Sequence, residues 1–158
     1  LYEEGKSPLI LVLDRITDVR NFGAIARTAE CANVDCIVVP EQNSAAINSD
    51  AMKTSSGALN NIKICRTWNL KMTLQMLKDS GIQIVSCTEK TNNKIYSVNY
   101  QIPTAIILGS EENGISNEFL KFSDEKVKIP ILGNIESLNV SVACGVILYE
   151  IVRQRLSL

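Results

Sequence analysis

The feature that most narrows the possible folds is a series of short apolar runs, each bounded by proline, glycine or polar residues. Residues 9–13 follow Pro8, 36–39 stop at Pro40 and 62–65 form a brief run. Residues 82–86 follow Gly81, 105–108 end at Gly109, and 127–131 are interrupted by Pro130. The runs are largely continuous rather than alternating, the pattern of strands buried on both faces. Helical stretches separate them. Residues 21–33 read as a helix with Asn21 as N-cap and Phe22, Ile25, Ala26 and Ala29 on its apolar side. Residues 50–59 read as a helix weakened by Ser55-Ser56-Gly57, and 69–78, 118–122 and 138–156 are helical as well. Strand and helix alternate, so the expected architecture is α/β, a mainly parallel sheet flanked by helices.

The length of 158 residues suits one domain, read as residues 1–158. The polar N-terminus without a starting Met leaves room for a further N-terminal piece outside this chain. No apolar stretch is long enough to span a bilayer. The five cysteines are scattered, odd in number and without C-x-x-C spacing, which argues against a disulfide framework and a zinc site. Buried thiols in a reducing compartment, the cytoplasm, are the expectation. The absence of histidine removes Ser-His-Asp and Cys-His catalysis and leaves no basis for a catalytic transition metal. The net charge is −1, without the excess of Lys and Arg that marks most nucleic-acid-binding domains. A nucleic-acid substrate would require a local basic patch, a second subunit or a region outside this chain.

The last helix carries no charge between Val142 and Tyr149 and is apolar on nearly every face. Such a helix is either core or interface, and dimerisation through it competes with plain core packing. Residues 88–102 are the most polar stretch and read as an exposed loop bearing Lys90, Asn92, Asn93 and Lys94.

Three loops follow expected strands on what should be one edge of the sheet, where open α/β sheets hold their ligands. The first, 14–27, offers Asn21 at a helix start, Gly23 and Arg27, a residue suited to gripping phosphate. The second, 109–114, brackets a tight polar turn with Gly109 and Gly114 and contains Glu111. It is neither a Walker loop nor a dinucleotide G-x-G-x-x-G. The third, 129–143, places Ser137, Asn139 and Ser141 at the mouth of the apolar helix, with Ser137 able to cap it. Alone, the first loop reads better as an N-cap, a packing glycine and a solvated arginine, the second reads as an ordinary strand-to-helix turn, and in the third capping accounts for Ser137 better than for Asn139.

Together, Asn21-x-Gly23-x-x-x-Arg27, Gly109-x-Glu111-x-x-Gly114, and Ile129-Pro130 with Ser137-Leu138-Asn139-Val140-Ser141-Val142-Ala143 resemble the three motifs of the SpoU/TrmH branch of the SPOUT RNA methyltransferases. The resemblance runs from about Leu9 to Arg155, and the segments between motifs are most similar to bacterial enzymes acting on a guanosine ribose of large-subunit rRNA. It implies a deep C-terminal trefoil knot, S-adenosylmethionine as cofactor, a homodimer through the knot region and C-terminal helix, and, by likeness to two-domain members, an N-terminal RNA-binding domain outside this chain. The activity implied is methylation of a ribose 2′-hydroxyl in rRNA or tRNA. By this resemblance Arg27 is the catalytic arginine and Asn21 its support, with Glu111, Ser137 and Asn139 completing the catalytic set. Leu108, Gly109, Ile129, Ile131 and Leu138 would hold the cofactor, with Thr88 near the adenosine, and no metal is implied. Three departures are visible. Asp18-Val19-Arg20-Asn21 stands for the common Asp-Pro-x-Asn, Ala32-Asn33 for an aromatic-Gly pair, and Ile131 for a Met. A non-catalytic knotted RNA- or cofactor-binding domain is the main alternative. A flavodoxin-like nucleotide module is a second, for which phosphate-loop signatures are absent.

Overall fold

The apolar runs become the strands of one sheet. The structure is a computed structural model that describes residues 6–41 and 53–156. Its elements are β1 (Leu9–Asp14), α1 (Val19–Cys31), β2 (Cys36–Pro40), β3 (Lys63–Thr67), α2 (Leu70–Asp79), β4 (Gln83–Cys87), β5 (Thr104–Gly109), α3 (Asn117–Phe122), β6 (Glu125–Val127) and α4 (Val140–Leu156). Short 3-10 turns lie at Ala58–Asn60 and Ile95–Ser97. The strand order is β3-β2-β1-β5-β4-β6, and every pairing is parallel. All strand C-termini therefore open on one edge, and the loops after β1, β5 and β6 meet there.

Alternate side chains of the central strands feed two cores. Leu9, Leu11 and Leu13 of β1 join Ile25, Ala26 and Ala29 of α1 and Cys144, Ile147, Leu148 and Ile151 of α4. Ile10 and Val12 face the other way, toward Leu70, Leu74 and Leu77 of α2 and Phe119 and Leu120 of α3. Burial on both faces explains why these strands lack polar alternation. It also fixes the layers, with α1 and α4 on one face and α2 and α3 on the other.

Several boundaries differ from the sequence expectation. The cap of α1 is Asp18, not Asn21: Asp18 Oδ1 accepts the Asn21 N–H at 2.9 Å. Asp18 is the first acceptor in reach, which leaves the Asn21 side chain free for another partner. The first three residues of the helix expected over 50–59 lie outside the described residues, and of the rest only 53–54 are α-helical. Gly57, at φ +82°, breaks the chain into the 3-10 turn. The strand expected over 127–131 is instead Glu125–Val127 and ends before Pro130. At the end of α1, Asn33 takes φ +62°. Val34 N–H donates to Ala29 C=O and Asn33 N–H to Glu30 C=O, a Schellman ending in which asparagine replaces glycine at tolerable cost.

The polar stretch 88–102 is not simply an exposed loop. Ile95, Val98 and Tyr100 are buried, and the end of α4 covers them. Gln154 Oε1 accepts the Tyr100 N–H at 2.8 Å, while its Nε2 donates to Val98 C=O at 3.0 Å. Arg155 donates to Tyr100 C=O at 2.9 Å and to Ser7 C=O at 2.7 Å, tying helix, loop and the entry to β1 together. The last helix itself is two-sided. Cys144, Ile147, Leu148 and Ile151 are core, whereas Val142, Val146 and Tyr149 are 51%, 36% and 49% exposed. The expected burial of the cysteines holds fully only for Cys144; Cys31 is exposed and the others are half-buried.

Glu150 is a buried carboxylate in this clamp. Arg153 donates to it through two nitrogens at 2.8 and 3.0 Å, and Gln154 Nε2 through a third bond at 2.9 Å. The Arg153 hydrogen bond holds the Glu150 carboxyl below its ordinary value of 4.5 despite burial. A lowered folded-state pKa stabilises the fold above the unfolded value and loses that contribution as pH falls through the folded one. Glu150→Gln should therefore lower Tm at neutral pH, and the deficit should shrink as pH falls below 4.5 and through the lowered folded value. Thermal melts across that range check this; an undiminished deficit at the acid end contradicts it.

Candidate active site

The second loop is built on a close approach that only glycine permits. A Cβ at Gly109 would lie 2.2 Å from the Gly114 carbonyl carbon and 2.4 Å from the Ile115 nitrogen. The loop closes on itself through Gly114 N–H to Ser110 C=O at 2.8 Å and Asn113 N–H to Ser110 Oγ at 3.1 Å, with Gly114 at φ +64°. Two residues at the end of β1, which sequence reasoning left without a role, pin it. Asp14 Oδ2 accepts the Ser116 N–H at 2.8 Å. Arg15, itself at φ +62°, donates to Gly114 C=O at 3.0 Å and Asn113 C=O at 3.1 Å. A non-glycine residue at positive φ is strained and persists where surrounding bonds fix it.

Held this way, Glu111 reaches the start of α4. Its Oε1 accepts from Asn139 Nδ2 at 2.8 Å and from Val140 N–H at 3.1 Å. A helix N-terminus has unsatisfied N–H groups and favours negative charge. Asn139 caps α4 with its Oδ1, which accepts from Ser141 N–H at 2.9 Å and from the Ser141 hydroxyl. The cap expected at Ser137 is thus at Asn139, two residues on. Asn139 Nδ2 also donates to Asn21 Oδ1 at 3.2 Å. Asn21, Glu111 and Asn139, one from each loop, form a single hydrogen-bonded chain.

Beside this chain is a cavity of about 300 Å³. Thr88, Leu108, Gly109, Ile129, Ile131 and Leu138 all line it, as do Glu111 and Ser137. The lining is mixed. Apolar walls alternate with the carboxylates of Glu89, Glu112 and Glu136 and the ammonium groups of Lys90 and Lys128. Of these charged residues the sequence singles out only Lys90, as part of an exposed loop, and the others read as ordinary surface. Cys87 also lines the cavity, and burial, then the Glu89 carboxylate, push its thiol up to about 12. It stays protonated at neutral pH and is a poor nucleophile. Arg27 stands apart. It is exposed on α1, outside the cavity lining and without a hydrogen bond or ion pair among the described residues. Its neighbour Thr28 faces α4, where a Cβ at Gly145 would stand 3.7 Å from Thr28 Cγ2.

An all-parallel sheet with a cavity at its C-terminal edge, walled by loops from several strands, defines an α/β protein with the cavity where open sheets of this class hold ligands. Within that class, the chain belongs to the SpoU rRNA Methylase family, whose pattern matches residues 8–149. The 23S rRNA (guanosine-2′-O-)-methyltransferase RlmB of Yersinia pestis is 39% identical over 155 residues, 98% of this chain and 63% of that protein. The chain thus spans somewhat less than two thirds of the length of such curated relatives. The SpoU methyltransferase AviRb from Streptomyces viridochromogenes, solved in complex with the cofactor AdoMet, is 27% identical with a TM-score of 0.89, over 96% of this chain and 62% of that one. The A. aeolicus TrmH/SpoU tRNA modifying enzyme is 34% identical with a TM-score of 0.86, over 95% and 76%.

The Gly109 contact gives a direct test of how the site is held. Gly109→Ala should cost about 1–3 kcal/mol, lowering Tm by several degrees. Gly133→Ala, where nothing lies within 4 Å of the added methyl, should be tolerated. Calorimetric melts of the two variants compare them; equal Tm values would contradict the packing argument.

Proposed function

We propose that this domain transfers a methyl group from S-adenosylmethionine to a ribose 2′-hydroxyl of RNA, in rRNA or tRNA, with a guanosine of large-subunit rRNA the preferred substrate. The observation that carries the reading is the Asn21–Asn139–Glu111 chain beside the mixed apolar and charged cavity. The names of relatives such as the Yersinia pestis protein supply the guanosine and the ribosomal RNA.

The cavity suits such a cofactor. Its volume lies at the small end of ligand sites. Leu108, Ile129, Ile131 and Leu138 offer apolar walls to a purine, and Thr88 a hydroxyl at their edge. Carboxylates and lysines in one lining match a ligand that is both an amino acid and a cation. When bound, the cofactor supplies a methyl group already activated on a positively charged sulfur. What the chain must then do is align the acceptor, which accounts for a large part of such a barrier. Asn139, fixed from both sides by Glu111 and its own cap, and Ser137 at the cavity wall position the ribose. Asn21 holds the other end of that chain.

The acceptor hydroxyl forms the new C–O bond as the S–C bond breaks, and its proton must leave. Arg27 is the assigned residue. A guanidinium with a pKa above about 12 is a demanding base. Gripping the phosphate next to the ribose asks less of it, with the proton passing to phosphate or water. Arg27 is adjacent to Thr28, which faces α4, and α4 carries the exposed apolar stripe Val142, Val146 and Tyr149. We place a second copy of the chain on that stripe, which brings Arg27 to the seam between subunits. A deep knot formed by the segment between β6 and α4 belongs to the same proposal. That segment leaves β6 through backbone bonds to residues 93–95, and α4 then clamps residues 98–102.

Arg27→Ala should abolish methyl transfer while leaving S-adenosylmethionine affinity unchanged. Methyl incorporation into large-subunit rRNA and isothermal calorimetry with the cofactor measure the two separately. Normal turnover in the variant would overturn the assignment of Arg27.

A further inference from the structure

A chain of net charge −1 needs a local means of holding a polyanion, and the fold concentrates one where the sequence did not display it. Four of the ten lysines, Lys90, Lys94, Lys126 and Lys128, come together where the 88–102 stretch lies against β6 and its continuation. The backbone sets this up. Thr88 N–H donates to Val127 C=O at 2.8 Å, Lys128 N–H to Asn93 C=O at 2.8 Å, and Ile95 N–H to Lys128 C=O at 2.9 Å. These bonds make Lys94 and Lys128 direct partners in a parallel bridge.

Partners in a bridge project to the same face, so the Lys94 and Lys128 side chains leave the backbone as neighbours. Like charges directly opposite one another in a sheet are destabilising. Lys126, two residues before Lys128, shares that face by strand alternation, whereas Val127 between them is wholly buried on the other side. Lys90, Lys94 and Lys126 are exposed and Lys128 is half-buried. None of the four makes an ion pair among the described residues, although Glu89 and Glu125 adjoin them in sequence. The nearby Asp124 is already engaged by Lys78 and by the Ile84 N–H. No carboxylate of the described residues is within ion-pair distance of these lysines, although Glu89, Glu112 and Glu136 share the cavity lining with Lys90 and Lys128. Lys90 and Lys128 also line the cavity, so the patch begins at the site and runs outward along β6.

We infer that Lys90, Lys94, Lys126 and Lys128 form the track that holds the sugar-phosphate backbone of the substrate RNA as it enters the site. This rests on the RNA-methylating function proposed above. A phosphate between Lys94 and Lys128 turns a repulsive pair into two attractive ones. It also gives an acidic domain the counterion-releasing contacts that nucleic-acid affinity depends on.

The test uses the two lysines outside the cavity lining. Fluorescence anisotropy with a fluorescein-labelled, mixed-sequence RNA of about 20 nucleotides, titrated over a range of salt, reads affinity and the salt slope. Lys94→Gln with Lys126→Gln should weaken binding about tenfold at low salt and flatten the log–log slope by roughly 1.4–1.8. Lys63→Gln with Lys121→Gln makes the same change in net charge away from the patch and should alter neither. The cofactor affinity of both double variants should match that of the parent. Equal effects of the two double variants, no effect of the first, or no RNA binding by the parent overturns the track. So does unchanged RNA binding accompanied by lost binding to phosphatidylglycerol vesicles, which would assign the patch to a membrane. If the parent binds RNA through these lysines but neither binds S-adenosylmethionine nor methylates, the track stands and the proposed function fails.

Discussion

The Glu111 carboxylate sits at the start of α4, where a single oxygen accepts both the Asn139 side-chain amide and the Val140 backbone N–H. The rest of the site depends on that contact. It joins the loop after β5 to the loop after β6, and through Asn139 it reaches the start of α1 at Asn21. Helix polarity favours the arrangement, since an anion at an N-terminus meets free N–H groups and the positive end of the dipole. Glu111 is in turn placed by Gly109, whose missing side chain lets the loop fold back, and by Arg15 and Asp14, which clamp the returning strand of the loop.

The parallel sheet makes these contacts possible. Because every strand points the same way, loops separated by up to 118 positions in sequence, as Asn21 and Asn139 are, meet on one edge. The two cores hold the edge rigid from either face. The far end of α4 contributes from a distance. Glu150, Gln154 and Arg155 fasten residues 98–102 and the entry to β1, which steadies the stretch that carries Thr88 and Lys90 into the cavity wall.

Much of this was legible in the sequence because burial writes itself in composition. β1, β2, β4 and β5 are apolar runs, and the apolar spacing of α1 at Phe22, Ile25, Ala26 and Ala29 is the observed buried face. The family, too, could be recognised from three ordered motifs, and the match over residues 8–149 shows it. The residues that the resemblance names for the cofactor come together in the lining of one cavity. Choices between near-equivalent neighbours were not legible. Asp18 and Asn21, or Ser137 and Asn139, are all good caps, and only the path of the chain decides which one faces the helix. β6 has three residues, two of them exposed, so its sequence carries almost no strand signal. The burial of Ile95, Val98 and Tyr100 in a polar stretch depends on α4, more than fifty positions away. The roles of Arg15 and Asp14 are likewise long-range, spanning about a hundred residues.

The central claim is that the loops after β1, β5 and β6 act as one ligand site. Amide chemical shifts of the isotopically labelled chain, followed by NMR during titration with S-adenosylmethionine alone, test it most directly. The account predicts that the large changes fall together on residues 88–90, 108–115, 128–131 and 136–143, and that they reach Asn21 through Asn139. Saturable changes confined to another surface, or none at all, would contradict it.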